Sequence, residues 1–378
     1  MSYILNEEKK LGFGFLRLPS KDINNPSDVD MEHTCKMVDS FIKAGFKYFD
    51  TAYNYLNYKS ENFIKEALTD RYERDEFILT TKLPCKELKD EDSAEDLFNE
   101  QLNKCGVDYF DVYLLHGLNK SSFELSQKRG YFDLLQKLKT EGKTKYTGFS
   151  FHDTAEVLDE ILTAHPEIDV VQIQLNYLDW ENPIIQSGKC YEVCRKHNKP
   201  MIIMEPVKGG TLANIPKEAR DKMNALNPNH SPAAWAIRFA ASQEGVIMVL
   251  SGMSNMDQIE DNISFMKDFK PLTKEETQML KECAEIVRNS VAIACTGCSY
   301  CTNGCPKQIP IPRYLSLYNE HKRDGWQIDA PTRYNDMIKK FEKASECIEC
   351  GQCEDKCPQQ LKIIDWLKVV AKEFEESK

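Results

Sequence analysis

One pattern of cysteines occurs twice near the end of the chain and restricts what that part can become. Cys295, Cys298, Cys301 and Cys305-Pro306 read C-x2-C-x2-C-x3-C-P, and Cys347, Cys350, Cys353 and Cys357-Pro358 repeat it without change. Three thiolates with two residues between neighbours can wrap one cubane iron–sulfur cluster, because a tight loop turns each sulfur inward. The fourth, followed by proline, ligates the other cluster. The runs predict two 4Fe-4S clusters: one on Cys295, Cys298, Cys301 and Cys357, the second on Cys347, Cys350, Cys353 and Cys305. Structural zinc favours two C-x2-C pairs or histidine partners instead.

The chain has 378 residues, 14 cysteines and a formal net charge of −11. Met1–Lys10 is polar and lacks the apolar core of a secretory leader, so the expected location is cytoplasmic. Dense cysteine in a reducing compartment means metal or redox chemistry rather than disulfides. The acidic balance argues against a nucleic-acid partner, and basic stretches such as Lys143–Lys145 read as solvated surface. No apolar run approaches the ~20 residues of a membrane span. Cys35, Cys85, Cys105, Cys190, Cys194 and Cys283 lack ligand-like company and read as packing residues, with Cys85 close to a strand end.

Eight short runs rich in β-branched and aromatic residues alternate with helix-like segments: Leu11–Leu16, Phe46–Phe49, Phe77–Thr81, Phe110–Leu115, Tyr146–Phe149, Val170–Gln174, Met201–Met204 and Val246–Leu250. Nearly continuous apolar character marks strands covered on both faces. Between them, Asp153 with Glu156 and Thr273 with Glu276 form capping-box patterns, and Ser231-Pro232 opens another helix. Gly45, Gly106 and Gly142 stand where helices should end. This α/β alternation over about 250 residues predicts a closed (β/α)8 TIM barrel. A doubly wound open sheet competes, but no G-x-G-x-x-G follows a predicted strand.

The pattern changes after Leu272. Thr273–Asn289 reads as a helix, Ile309-Pro310-Ile311-Pro312 and Pro331 as breaks, and Arg313–Lys322 and Asn335–Ala344 as helices. Ile364, Leu367, Val370 and Phe374 mark one face of a last helix. The expected division is a barrel over 1–288 and a cluster-binding domain over 289–378. The helix-rich spacer between the cysteine runs resembles the α-helical ferredoxin type.

Chemistry in a parallel barrel sits at the C-terminal strand ends. In order, these carry Asp50, Lys82, His116, Ser150, Gln172, Glu205 and Ser251, and Tyr55 follows Asp50 closely. Singly, each reads as a cap, a solvated cation or a structural imidazole; their joint placement is what points to a site. Phe49-Asp50-Thr51-Ala52-x-x-Tyr55 with Ser60-Glu61, then Thr81-Lys82, then Asp111-Val112-Tyr113-Leu114-Leu115-His116, resemble the aldo-keto reductases in order and spacing. The similarity covers roughly Leu11 to Asn262, and the whole chain resembles the ferredoxin-tailed members of that family.

The resemblance implies a catalytic tetrad of Asp50, Tyr55, Lys82 and His116. Reducing a carbonyl needs a hydride at carbon and a proton at oxygen, and a phenol can supply the proton if its phenolate is stabilised. On this reading Tyr55 is the acid, Lys82 lowers its pKa, Asp50 holds Lys82, and His116 orients the carbonyl. For the nucleotide, NADPH or NADH, the resemblance implies that Ser150 and Gln172 hold the carboxamide and that Met204 takes the stacking place. Met204, Pro206, Val207 and Gly209 lie on the pyrophosphate loop, and Gly252, Ser254, Gln258 and Asn262 on the adenosine clamp. Phe151 replaces the family's usual asparagine, Met204 its stacking aromatic, and Gln258 the arginine that pairs with a 2′-phosphate, which leaves NAD against NADP open.

The leading expectation is an oxidoreductase moving a hydride between a nicotinamide nucleotide and a small carbonyl or alcohol, its clusters acting as a structural clamp or an electron port. A hydride carries two electrons and a cubane passes one, so an alternative places a flavin in the barrel and a ferredoxin-like electron partner outside it. A third reading is a non-catalytic redox-sensing binding protein. Tyr53, Tyr177 and Trp180 are candidate substrate-lining aromatics.

Overall fold

In the computed structural model, which describes residues 9–22, 25–89, 91–290, 292–302, 304–324 and 330–376, every one of the eight apolar runs holds a barrel strand. In chain order the strands are β1 (Leu11–Gly14), β2 (Ser20–Asp22), β3 (Asn25–Val29), β4 (Tyr48–Asp50), β5 (Ile78–Leu83), β6 (Phe110–Leu118), β7 (Thr144–Phe151), β8 (Val170–Gln174), β9 (Met201–Met204) and β10 (Val246–Gly252). All but β2 and β3 pair in parallel in the order β1-β10-β9-β8-β7-β6-β5-β4, and β4 closes back on β1 with Gly14 opposite Asp50. The protein is thus an α/β barrel. Tyr48, Ile78, Val112, Leu114, Val170, Ile202, Met248 and Leu250 fill its interior, which explains the missing in/out alternation.

Helix boundaries follow the sequence signals in most places. Ser231 Oγ accepts from the Ala234 amide at 2.9 Å with Pro232 at the first helical position. Thr273 and Glu276 exchange both capping-box bonds, at 2.8 and 3.1 Å. Asp153 does not cap its helix. Thr154 takes the cap position, and Asp153 accepts from the Thr154 and Lys120 amides instead. The antiparallel β2–β3 hairpin was not expected, being short, polar and carrying Pro26.

Two compact units emerge, Met1–Pro206 with Asn229–Thr277 and Val207–Pro228 with Gln278–Lys378. The second unit takes in Val207–Pro228, upstream of the boundary the sequence suggests. Its core gathers Tyr314, Leu315, Tyr334, Leu367, Val370 and Phe374 from the helices Ile311–Asp324, Ala330–Met337 and Ile363–Ala371 and the turn after them. Phe374 stacks on Tyr334 with ring centres 5.3 Å apart. Pro331 is the second residue of its helix rather than a break, a place proline tolerates because that amide has no intrahelical partner. That helix ends at Met337, short of the predicted Ala344. No helix among the described residues is long and apolar enough to cross a membrane.

Candidate functional site

β4, β5 and β6 deliver three members of the tetrad to one end of the barrel, and the turn after β4 delivers the fourth. Asp50 and Lys82 are almost wholly buried, and Lys82 Nζ donates to Asp50 Oδ1 at 2.7 Å and to the Thr51 carbonyl at 2.7 Å. The same ammonium reaches the Tyr55 hydroxyl at 3.5 Å. The Tyr55 ring meets the His116 imidazole edge-on, centres 5.7 Å apart. Burial pulls the Lys82 ammonium below its usual pKa, while Asp50 pulls it back up. Burial raises the Asp50 carboxyl against the opposing pull of Lys82. His116 is held well below the usual imidazole value by burial, then by Lys82 and His152, so it is neutral at pH 7.

Local structure fixes the phenol from behind. Leu56, Asn57 and Tyr58 all take positive φ (50°, 54° and 66°), a left-handed turn that costs energy in non-glycine residues and needs outside support. Ser60 supplies part of that support. Its amide donates to the Tyr55 carbonyl at 3.3 Å, and its buried hydroxyl pairs with Thr51 Oγ1 at 2.8 Å and donates to the Phe15 carbonyl at 3.0 Å. Glu61, also buried, accepts from Thr81 Oγ1 at 2.7 Å and Gln101 Nε2 at 2.6 Å, tying the turn to β5.

Ser150 and Gln172 are register partners on β7 and β8. Ser150 Oγ accepts from the amide of Gly117 at 2.8 Å, and Gly117 takes φ +66°, which permits the irregularity in β6 directly after His116. Gln172 Nε2 donates to Asp50 Oδ2 at 3.3 Å. Gln172 Oε1 is buried without a hydrogen-bond partner among the described residues. An orphaned acceptor of this kind is costly unless a ligand uses it, and it suits the amide hydrogens of a carboxamide.

The residues expected on the adenosine clamp form a separate group. Asn262 Nδ2 donates to Ser251 Oγ at 2.9 Å, and the Ser254 amide donates to Gln258 Oε1 at 2.7 Å. Arg17, missed in the sequence, joins them. It pairs with Glu205 at 3.2 Å, its stem lies along Gly252, and its carbonyl accepts from Ser254 Oγ at 2.8 Å. Met204 ends β9, and Glu205 and Pro206 follow it; Val207 and Gly209 belong to the second unit. His152 was missed as well: it feels the Lys82 charge, and burial together with that charge lowers its pKa to about 4. Tyr177 and Trp180 pack on Phe239. Cys85 is buried with its thiol pushed up to about 11 by burial, which makes it a poor nucleophile.

A model of the aldo/keto reductase family matches residues 10–285, most of the chain. The chain belongs to that family. Among curated members, a 9,11-endoperoxide prostaglandin H2 reductase of Trypanosoma cruzi is 27% identical over 271 residues, covering 71% of this chain and 89% of the relative. A glycerol 2-dehydrogenase (NADP(+)) of Saccharomyces cerevisiae is 25% identical over 255 residues, covering 60% of this chain and 76% of its own length. The crystal structure of an aldo-keto reductase from Klebsiella pneumoniae in complex with NADPH shares the fold, with a TM-score of 0.58 at 18% identity over 72% of this chain and 90% of that one. This aldo/keto reductase also carries a second matched region, a 4Fe-4S dicluster domain over residues 294–361.

The second unit brings several of the cysteines together. Buried Cys301 has its thiol raised by burial and then by the charges of Cys298, Cys295 and Cys357, so these four sulfurs share one neighbourhood. Cys353 is raised to about 11 by burial and by Cys347, while Cys350 is exposed. The Gly297 amide donates to Cys295 Sγ at 3.4 Å, and the amides of Leu361, Gln359 and Gln360 face the Cys357 sulfur. Such amide fringes stabilise thiolates bound to an iron–sulfur core, so the donor set fits the group. Among the described residues, no three His, Cys, Asp or Glu side chains gather closely enough to hold a single ion.

Proposed function

We propose that the barrel catalyses reversible hydride transfer between a nicotinamide nucleotide, NADPH or NADH, and a small carbonyl or alcohol substrate. The observation that carries this reading is the line from Asp50 through Lys82 to the Tyr55 hydroxyl, a buried cation held 3.5 Å from a phenol oxygen. The nucleotide, when bound, supplies or accepts the hydride. Tyr55 gives its proton to the carbonyl oxygen, and the Lys82 ammonium stabilises the phenolate left behind. Asp50 keeps Lys82 protonated and aimed. Neutral His116 donates a hydrogen bond that orients the carbonyl. Gln172 Oε1, beside Ser150, would accept from the carboxamide of a bound nucleotide and so help to hold its ring in one orientation.

The Met204–Val207 stretch with Gly209 would hold the pyrophosphate, and Gly252, Ser254, Gln258 and Asn262 the adenosine. The yeast glycerol 2-dehydrogenase (NADP(+)) and the NADPH complex of the Klebsiella enzyme support a nicotinamide reading over a flavin in the barrel. Cys295, Cys298, Cys301 and Cys357 would bind one 4Fe-4S cluster and Cys347, Cys350, Cys353 and Cys305 the other, within a cluster-binding domain over 289–378.

Tyr55→Phe tests the assignment. Carbonyl-dependent NADPH oxidation should fall by about 10²–10⁴, the usual share of a general acid, while nucleotide affinity measured by fluorescence titration stays unchanged. Full activity in that variant sinks the mechanism.

A further inference from the structure

Gln101, in the helix Ala94–Cys105, is completely buried, and its side-chain amide is bonded at both ends. Oε1 accepts from the Tyr113 hydroxyl at 2.6 Å. Nε2 donates to Glu61 Oε1 at 2.6 Å and to the Lys82 carbonyl at 3.1 Å. A carboxylate and a carbonyl only accept, so these two partners decide which way round the amide lies. Glu61 is itself completely buried. Thr81 Oγ1 donates to it at 2.7 Å, and Lys104 Nζ is its counter-charge at 3.4 Å. A buried network of this kind is rigid while its bonds are made, and removing one member strands the others.

The bond to Lys82 fills a gap in the barrel. β4 pairs with β5 only as far as Asp50 opposite Thr80, and the chain then leaves for the turn that carries Tyr55. The Thr80 carbonyl still accepts from the Thr51 amide at 2.9 Å. Carbonyls two residues apart on a strand face the same way, so that of Lys82 faces the side β4 has vacated. Gln101 Nε2 supplies the donor that a strand would have supplied there. Ser60 and Glu61 thus grip both halves of the proton couple. Ser60 holds Thr51, Phe15 and the Tyr55 carbonyl, while Glu61 holds Thr81 and, through Gln101, Lys82. The Lys82 ammonium meets the Tyr55 hydroxyl at 3.5 Å, the outer limit of a hydrogen bond, so a small slip of either element breaks the contact.

We propose that Gln101, anchored by Glu61, is a positioning residue for the reaction: it takes the place of a missing strand partner at Lys82 and thereby keeps the ammonium on the Tyr55 hydroxyl. This rests on the reading of Tyr55 as the acid and Lys82 as its charged partner. Gln101 gives and takes no proton in the step; it acts through Lys82.

The test compares wild type, Gln101→Met and Thr81→Val as full-length protein. Gln101→Met removes the brace at similar volume and changes no charge. Asp50, Glu61, His116 and His152, the titratable groups that share a field with Lys82, all stay in place. An ultraviolet titration of tyrosinate, each protein read against its own Tyr55→Phe counterpart, isolates the ionisation of Tyr55 and needs no substrate. In Gln101→Met its midpoint should move up, because an ammonium that no longer faces the phenolate no longer stabilises it. With NADPH and a nitrobenzaldehyde as the carbonyl probe, kcat should fall at least about tenfold while the nucleotide dissociation constant stays unchanged. A Tyr55 midpoint or a kcat equal to wild type in folded Gln101→Met overturns the proposal, as does a fall in kcat matched by an equal weakening of nucleotide binding. If Gln101→Met does not fold, Thr81→Val removes one of the bonds to Glu61, again without a change of charge. It should move the same midpoint upward by a smaller amount, and no movement overturns the proposal. A Tyr55 midpoint that Lys82→Met leaves unchanged would instead overturn the reading of the tetrad on which the proposal stands.

Discussion

Lys82 Nζ stands 2.7 Å from Asp50 Oδ1 with both side chains nearly excluded from solvent, so neither charge is sustainable without the other. Removing one partner of a buried pair leaves an uncompensated charge and typically costs about 3–5 kcal/mol. Asp50→Asn should therefore lose that order of stability in denaturant melts. It should also lose at least about 10² in kcat/KM, because Lys82 then sheds its proton or its aim at Tyr55. The double variant Asp50→Asn with Lys82→Met should recover much of the stability and none of the activity. Additive stability losses would contradict the coupling.

His152 makes stability depend on pH in a defined window. Its folded pKa lies near 4, against an unfolded value near 6.5. Between these values the unfolded chain binds a proton that the folded chain refuses, so the stabilisation is complete above pH 6.5 and is lost as pH falls toward 4. His116 is shifted in the same direction. The slope should reach at most about 1.4 kcal/mol per pH unit for each histidine, less for the solvent that His152 still meets. Chemical denaturation between pH 7 and 5 reads the slope, and His152→Gln should flatten it. An unchanged slope in that variant would place the titration elsewhere.

Arg17 and Glu205 join the ends of β1 and β9 across the end of β10, where Gly252 lies along the Arg17 stem. The pair is part-exposed, so breaking it should cost less than about 1 kcal/mol of stability. If it straps the nucleotide's adenosine side, Arg17→Ala should speed nucleotide release severalfold in stopped-flow displacement, with little change in the association rate. Equal release rates in the variant and the wild type would remove the strap from the account.

These residues show what a sequence discloses and what it withholds. The barrel was legible because strands buried on both faces leave continuous apolar runs, and Asp50, Lys82 and His116 because each directly ends one of those runs. Tyr55 was legible by its fixed distance from Asp50. Arg17 and Glu205 meet only through barrel closure, which no local pattern records. Gln101 has no periodic or compositional mark to set it apart from a solvated helix residue; its bonds to Glu61 and the Lys82 carbonyl are identified only through tertiary contacts. Pro331 misled because proline ends a helix at one position and starts it at another.

Gln172 offers a prediction in which stability and function move apart. Its Oε1 is buried with no hydrogen-bond partner among the described residues, a desolvation cost of about 1–3 kcal/mol that the nucleotide-free protein bears. Gln172→Met removes the orphaned oxygen at similar volume and forfeits only the 3.3 Å bond from Nε2 to Asp50. The nucleotide-free variant should thus melt within a few degrees of the wild type, or above it, since a gain offsets a loss of similar size. Nucleotide binding has no such offset, because a carboxamide left without its acceptor is itself stranded. The dissociation constant should rise about tenfold, matching the ~1.4 kcal/mol worth of one such hydrogen bond. Thermal melts and isothermal titration on the same preparation separate the two effects. A variant that loses stability but binds the nucleotide normally would show that Gln172 braces Asp50 and does not read the nicotinamide.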